Sequence, residues 1–502
     1  MRVGDTMSKA LTYVSTRNKQ EPIDFYTAIL QGIANDGGLL VPNFDLPQLS
    51  LKELMALDYP ELASTVLKCF VPKDGHVLIE EACQAAYGGS LFPKEVVPVK
   101  KAGDLYIAEL FQGPTAAFKD MALTLLPHLM TLSLKVKKEK RDVMILAATS
   151  GDTGKAALEG FKDVQGTSIK VFYPSDGVSA IQKQQMITQE GKNVEVIGID
   201  GNFDDAQTAV KQAFNDASVK EVSQAHQIFL SSANSINIGR LLPQIVYYFY
   251  TYLSLVKKQE IKLHDEVDFC IPSGNFGNAL AGFIAKKMGL PVHKFICSSN
   301  KNNILTDFFT SGRYDANREF YKTNAPAMDI LISSNLERLV WFLSDQNGDM
   351  VNRYMTNLKE NGIYEVDAAI FDQTKEHFAA GFASETEVLQ AINDMYEQTG
   401  YLLDTHTATG YHVIKNYRQE SADSLPVILL ATASPYKFPE AVYKAVSQNE
   451  ADEYDAIKKL HDLTQIEIPA PLIDLDQRDI RFKEVIKKES IVDFVKEKIM
   501  QK

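Results

Sequence analysis

The chain has 502 residues, with 52 Lys and Arg against 65 Asp and Glu, a formal net charge of −13, and 45% hydrophobic against 23% charged residues. This is the balance of an ordinary globular protein with chain enough for more than one core, about three domains or subdomains by length. The acidic pI of about 5.3 argues against nucleic acid as a partner, because phosphate binding on that scale needs a basic face. The four cysteines have no C-x-x-C spacing and the nine histidines form no H-E-x-x-H pair. No disulfide framework and no metal ligands are therefore expected. Met1 to Lys9 contains no apolar leader, and the apolar stretch Leu241 to Val256 is interrupted by Pro243 and Gln244. A cytoplasmic protein that spans no membrane is expected, with that stretch as a buried helix.

Residues 1–95 carry few β-branched runs and several turn signals, and read as a separate, mainly helical region. From about residue 104 the pattern changes. Short apolar runs at Leu105–Leu110, Val143–Ala148, Ile169–Tyr173, Val194–Ile199, Ile228–Ser231, Val267–Ile271, Lys294–Cys297 and Pro426–Ala431 alternate with helical segments. The latter include Asp120–Leu134, Gly154–Phe161, Phe203–Asn215, Ile236–Leu255, Asn278–Met288 and Glu440–Val446. Runs such as VMILAA that do not alternate suit parallel strands buried on both faces, so an α/β fold is expected. The expected division is 1–95, a lobe over 96–260 and a second lobe over 261–502, the last with an accessory insertion at about 300–400.

In open parallel sheets, ligands bind at the carboxyl ends of strands. Three polar, glycine-bearing loops follow strand candidates: Gln112 to Asp120, Thr149 to Gly154, and Ser273 to Asn278. The third has small residues before a helix start, where bare N–H groups can converge on an anion. It matches neither G-x-G-x-x-G nor the P-loop spacing. Lys119, behind Ala116-Ala117-Phe118, stands at a helix mouth where partial desolvation would lower its pKa and free the amine as nucleophile or base. A lysine and a phosphate cup together suit pyridoxal phosphate.

The ordered motifs carry a resemblance. ELFQGPTAAFKD (109–120), ATSGDTGKAA (148–157), SSANSINIGR (231–240), IPSGNFGN (271–278), NNILTDFFTSGRYD (302–315), PAMDILISSNLERL (326–339), DTHTATG (404–410) and TASPYKFP (432–439) resemble the threonine synthases nearly end to end. These are pyridoxal-phosphate enzymes of the tryptophan-synthase-β fold type. The resemblance implies fold type II, with two open parallel-sheet lobes and an N-terminal domain. It implies Lys119 as the Schiff-base lysine and Gly274, Asn275, Phe276, Gly277 and Asn278 as the phosphate-gripping loop. Thr432 would meet the pyridine nitrogen. Thr115, Ser150, Gly151, Asp152 and Thr153 would contact the substrate, and Lys437 its phosphate. Gln112 stands where the family usually has His.

The activity implied is conversion of O-phospho-L-homoserine and water to L-threonine and phosphate; a monomer is expected, with a dimer as the alternative. Two other readings stay open at this level: a phospho-lyase of the same fold type giving 2-oxobutyrate, and a silent relative that only binds a phosphorylated ligand.

Overall fold

A computed structural model describes residues 11–17, 21–175 and 178–501. The opening residues 1–9, where no leader is expected, lie outside them. Two sheets organise the chain. The larger has six strands in the order Phe378–Phe382, Val292–Ser299, Val267–Pro272, Val427–Ala431, Leu105–Glu109 and Val99–Ala102. All of its pairings are parallel except the last, Val99–Ala102 against Leu105–Glu109. The smaller is wholly parallel, in the order Val485–Lys487, Val194–Asp200, Thr167–Pro174, Asp142–Ala148 and Ile228–Ser231.

Burial on both faces explains the non-alternating runs. Along Asp142–Ala148, Val143, Ile145 and Ala147 enter one apolar core while Met144, Leu146 and Ala148 enter another. The larger sheet is divided likewise, with Ile428 and Leu430 on one side and Val427, Leu429 and Ala431 on the other. The inner faces of both sheets share a single core with the N-terminal region and with helix Ile238–Lys257. That helix is buried over most of its length. No described helix is long and apolar enough to cross a membrane.

Sheet membership departs from the consecutive lobes expected at 96–260 and 261–502. Leu105–Glu109, which leads to Lys119, pairs with Val427–Ala431 in the larger sheet and not with the strand before the SGDTG loop. The C-terminal strand Val485–Lys487 returns to extend the smaller sheet, and Ile491, Phe494, Val495 and Ile499 of the following helix seal its outer face. The 300–400 segment supplies the edge strand Phe378–Phe382, so it is part of the lobe. Within residues 1–95, the helices are joined by a small antiparallel sheet of Ile23–Asp24, Thr12–Ser15 and Leu40–Pro42. Strands of two to four residues are too short to leave a periodic signal. The single helix expected over Asp120–Leu134 is two, Asp120–Leu123 and Leu126–Lys137. Pro127 lies in the first turn of the second, where its missing N–H costs nothing.

Helix Asp152–Phe161 packs against Asp120–Leu123 at Gly160, where an added Cβ would overlap the Leu123 carbonyl oxygen. In an exposed helix, Gly→Ala stabilises by about 1 kcal/mol. Here Gly160→Ala is expected to have the opposite sign, a loss of about 1–3 kcal/mol, read as a lower denaturation midpoint. Since Leu123 is one turn beyond Lys119, the same variant is expected to hold pyridoxal phosphate less tightly.

Candidate active site

The site is assembled where three adjacent strands of the larger sheet end together. Val267–Pro272 runs into Ser273 to Asn278, Val427–Ala431 into Thr432, and Leu105–Glu109 into the turn that ends at Lys119. That turn is fastened to its neighbour by the backbone. Leu110 N–H donates to Ala431 O (3.0 Å), Phe118 N–H to Thr432 O (2.8 Å) and Ser434 N–H to Ala116 O (3.1 Å). Lys119 and Thr432 are thereby held side by side. Ala116 adopts φ +59°, a left-handed conformation that costs a non-glycine residue about 1–3 kcal/mol. Buried Asp120 over-determines the turn by accepting Thr115 N–H (2.8 Å) and Thr115 Oγ1–H (2.6 Å). Burial pushes the Asp120 carboxyl up to about 6, against those two hydrogen bonds. Thr115, expected to contact the substrate, is instead wholly buried with both donors engaged. In this structure it shapes the turn.

Lys119 Nζ, on a side chain only 11% exposed, lies 3.4 Å from Asp152 Oδ2. Lys437 Nζ, fully buried, lies 3.0 Å from Asp152 Oδ1, and Gln182 Nε2 donates to the same oxygen at 2.9 Å. Burial lowers the Lys119 pKa; the Asp152 carboxylate opposes this, and the Arg240 and Lys437 charges add to it. Burial would raise Asp152, but Lys437 and Lys119 outweigh it and hold the carboxyl far below its usual range. Asp152 opens helix Asp152–Phe161, a placement the helix dipole favours. Gly151 before it has φ +142°, and a Cβ there would overlap the Gln182 amide. Ser150 and Thr153 are half-buried, and their hydroxyls make no hydrogen bond among the described residues. Lys437, expected at the substrate phosphate, is instead committed to Asp152, to Gln185 and to Thr115 O.

The carbonyls of Gly274 and Asn275 turn to the segment Ser333 to Asn335. Ser333 Oγ donates to Gly274 O (2.7 Å), and Asn335 N–H and Nδ2 donate to Asn275 O (3.1 and 3.0 Å). Phe276 has φ +61° and seats its ring against Phe309 and Phe378. Among the described residues, none of the N–H groups of Gly274 to Asn278 has a protein acceptor. Gly277 begins helix Gly277–Lys287, whose first N–H groups lack an intrahelical partner by geometry. A Cβ on Gly274 would stand 3.0 Å from Ala327 O, so the loop is backed without a side chain in the way.

Orphaned donors mark what the pocket takes. Asn278 Oδ1 accepts from the hydroxyls of Tyr247 (2.6 Å) and Tyr248 (2.8 Å), while its Nδ2 is buried and unpaired. Ser273 Oγ and Arg240 Nε are also buried without a partner. Arg240 is 4% exposed, donates from Nη1 only to Ala233 O (2.9 Å), and is lowered to about 10 by burial. Buried cations and donors of this kind are stable only when something anionic completes them. The residues present therefore fit a phosphorylated cofactor and a second anionic group.

Arg240 is the functional residue that motif reading passed over. It lies within SSANSINIGR, and nothing in the sequence separates a buried arginine from a solvated one. Two positioning residues were missed for the same reason. Fully buried Arg338 donates to Asn335 Oδ1, Ile236 O (2.6 Å) and Leu40 O (3.1 Å), and so ties the N-terminal region to the wall of the phosphate loop. His406 Nδ1 faces Asp404 Oδ1 (3.0 Å), and its Nε2 accepts Ala327 N–H (3.0 Å), which fixes the segment behind Gly274.

The family "Threonine synthase N terminus" matches residues 12–87, "Pyridoxal-phosphate dependent enzyme" residues 97–365, and "Threonine synthase, C-terminal" residues 407–496. A human protein named threonine synthase-like 1 is 38% identical over 483 residues, covering 90% of this chain. The chain spans 64% of that relative's length. Threonine synthase of Pseudomonas aeruginosa is 37% identical over 482 residues, covering 94% of this chain and 95% of its own. The crystal structure of PLP-bound threonine synthase from Brucella melitensis superposes with a TM-score of 0.85 at 36% identity, covering 98% of this chain and 99% of that one. The chain belongs to the threonine synthase family, pyridoxal-phosphate-dependent enzymes of fold type II.

Proposed function

We propose that this protein is a threonine synthase that converts O-phospho-L-homoserine and water to L-threonine and phosphate. The observation that carries the reading is the coincidence, at one sheet end, of a desolvated lysine, an N–H cup and a buried arginine with no acid partner. Lys119 would hold the cofactor, Gly274, Asn275, Phe276, Gly277 and Asn278 its phosphate, and Thr432 its ring nitrogen. When bound, pyridoxal phosphate supplies the electron sink that lets protons leave the substrate's α- and β-carbons. The chain's own groups do the rest. Lys119 Nζ, its pKa lowered by burial, takes and returns those protons. Asp152, at 3.4 Å, steadies the ammonium each time it forms. The free hydroxyls of Ser150 and Thr153, with the Gly151 and Asp152 backbone, face the substrate's amino-acid end.

We assign the substrate phosphate to Arg240, since the Lys437 ammonium is already surrounded by Asp152, Gln185 and the Thr115 carbonyl. The working unit is a monomer in the cytoplasm; four cysteines that are all free thiols support a reducing compartment.

The deciding experiment supplies the purified protein, loaded with pyridoxal phosphate, with O-phospho-L-homoserine. Threonine and phosphate in equal amounts are expected. Phosphate with 2-oxobutyrate instead would make the protein a phospho-lyase, and no product would leave a binding protein.

Lys119→Ala is expected to abolish cofactor attachment, seen as loss of visible absorbance, and to lower kcat by at least about 10²–10⁴-fold. Arg240→Gln is expected to keep the absorbance and weaken kcat/KM for phosphohomoserine by roughly 10–150-fold, the worth of a hydrogen bond to a charged group.

Asp152→Asn tests the electrostatics of the base. Only the neutral amine reacts with an aldehyde, and Asp152 raises the Lys119 pKa. Removing that carboxylate therefore lowers the pKa further, so the pH profile of cofactor attachment to the apoprotein is expected to shift to lower pH. A shift to higher pH would place the carboxylate's effect elsewhere.

A further inference from the structure

At the opposite end of the larger sheet, three side chains far apart in sequence converge. Asp268 is the second residue of Val267–Pro272, His293 the second of Val292–Ser299, and Asp423 precedes Val427–Ala431. These are adjacent parallel strands, so their amino ends lie together, roughly 20 Å along the strand from the phosphate loop. His293 Nδ1 is 3.0 Å from Asp268 Oδ1 and 3.2 Å from Asp423 Oδ2. One donor atom from each of the three residues lies within 4.8 Å of the other two.

The remaining contacts orient the ligands without consuming them. Asp268 Oδ1 accepts Lys294 N–H (2.8 Å), Asp423 Oδ1 accepts Leu425 N–H (2.9 Å), and Asp423 Oδ2 accepts the Tyr417 hydroxyl (3.0 Å). Lys286 Nζ turns to the His293 carbonyl (3.0 Å). The Asp268 side chain is 1% exposed; its buried Oδ2 receives no N–H or hydroxyl donor, and its carboxyl group meets that of Asp423. An orphaned carboxylate oxygen beside a second carboxylate is unstable unless a proton or a cation lies there.

We propose that Asp268, His293 and Asp423 bind a divalent cation of the zinc class at the amino-terminal edge of the larger sheet. One imidazole nitrogen and two carboxylates are an accepted donor set for that ion, with water completing it. Tetrahedral bonds of about 2.0–2.1 Å put neighbouring donors about 3.3 Å apart, and the two His293 separations already approach this. The His293 side chain, 37% exposed, leaves an access route from solvent. The ion would clasp the starts of two strands and the approach to a third. It would therefore stabilise the sheet without touching the chemistry at its far end.

The test uses the full chain carrying pyridoxal phosphate, stripped with EDTA and titrated with zinc chloride in a calorimeter. One tight equivalent is expected, with a thermal midpoint that climbs with zinc concentration. His293→Gln and Asp423→Asn, both at partly exposed positions, are expected to weaken that binding by at least roughly tenfold while kcat/KM stays unchanged. Zinc binding equal in the wild type and both variants would overturn the site. So would no binding to the wild type, which would leave a shared proton as the answer to the orphaned oxygen.

Discussion

Everything at the catalytic end of this protein depends on Asp152. It comes from the smaller sheet's lobe, while the two lysines that meet it come from loops of the larger sheet. Removing one member of such a buried set leaves an uncompensated charge at a cost of about 3–5 kcal/mol, so the contact ties the lobes as firmly as it tunes the base. One carboxylate cannot balance Lys119, Lys437 and Arg240 together. Burial lowers the Lys119 and Arg240 pKa values, and at Lys119 the neighbouring cations add to it. What remains is a standing demand for anions, which the proposed phosphorylated cofactor and substrate would both meet.

The two phosphates are handled by different physics. The cofactor's would be met by neutral N–H groups at a helix start, which bind an anion without adding a cation next to the base. That economy needs a loop with its carbonyls turned away, and here Ser333, Asn335 and the Arg338 hub behind them do the turning. The N-terminal region thus reaches the active site without lining it, through the Leu40 carbonyl on Arg338. A leaving phosphate, by contrast, gains charge as it departs, and a guanidinium is the group suited to that change.

The parallel strands were legible because each is a short β-branched run buried on both faces, and most were located to within a residue or two. Their partners were not. Phe378–Phe382 contains Ala and Gly, and Val485–Lys487 is three residues with exposed ends, so neither carries a hydrophobic signature. Sheet membership escaped as well, since the pairing of Leu105–Glu109 with Val427–Ala431 spans more than three hundred residues that no local pattern reports. At the site, glycine-rich loops and Lys119 announced themselves by composition and resemblance. Arg240, Arg338 and the Asp268–His293–Asp423 cluster are ordinary charged residues until burial and neighbours are known.

Gln112, in place of the family's usual histidine, shows how burial decides what such a departure means. Its Nε2 donates to Glu109 Oε2 at 2.8 Å, and Tyr401 donates to the other oxygen at 3.0 Å. Glu109 is 9% exposed, and burial raises its pKa against both hydrogen bonds. A histidine in this place would add a titrating cation beside that carboxylate. The glutamine supplies the same hydrogen bond with no charge of its own. The Gln112 amide is engaged with the strand end, and the proposed base Lys119 has its pKa lowered by its own environment. The substitution therefore keeps a hydrogen bond to Glu109 in the turn before Lys119 without placing a titrating group there.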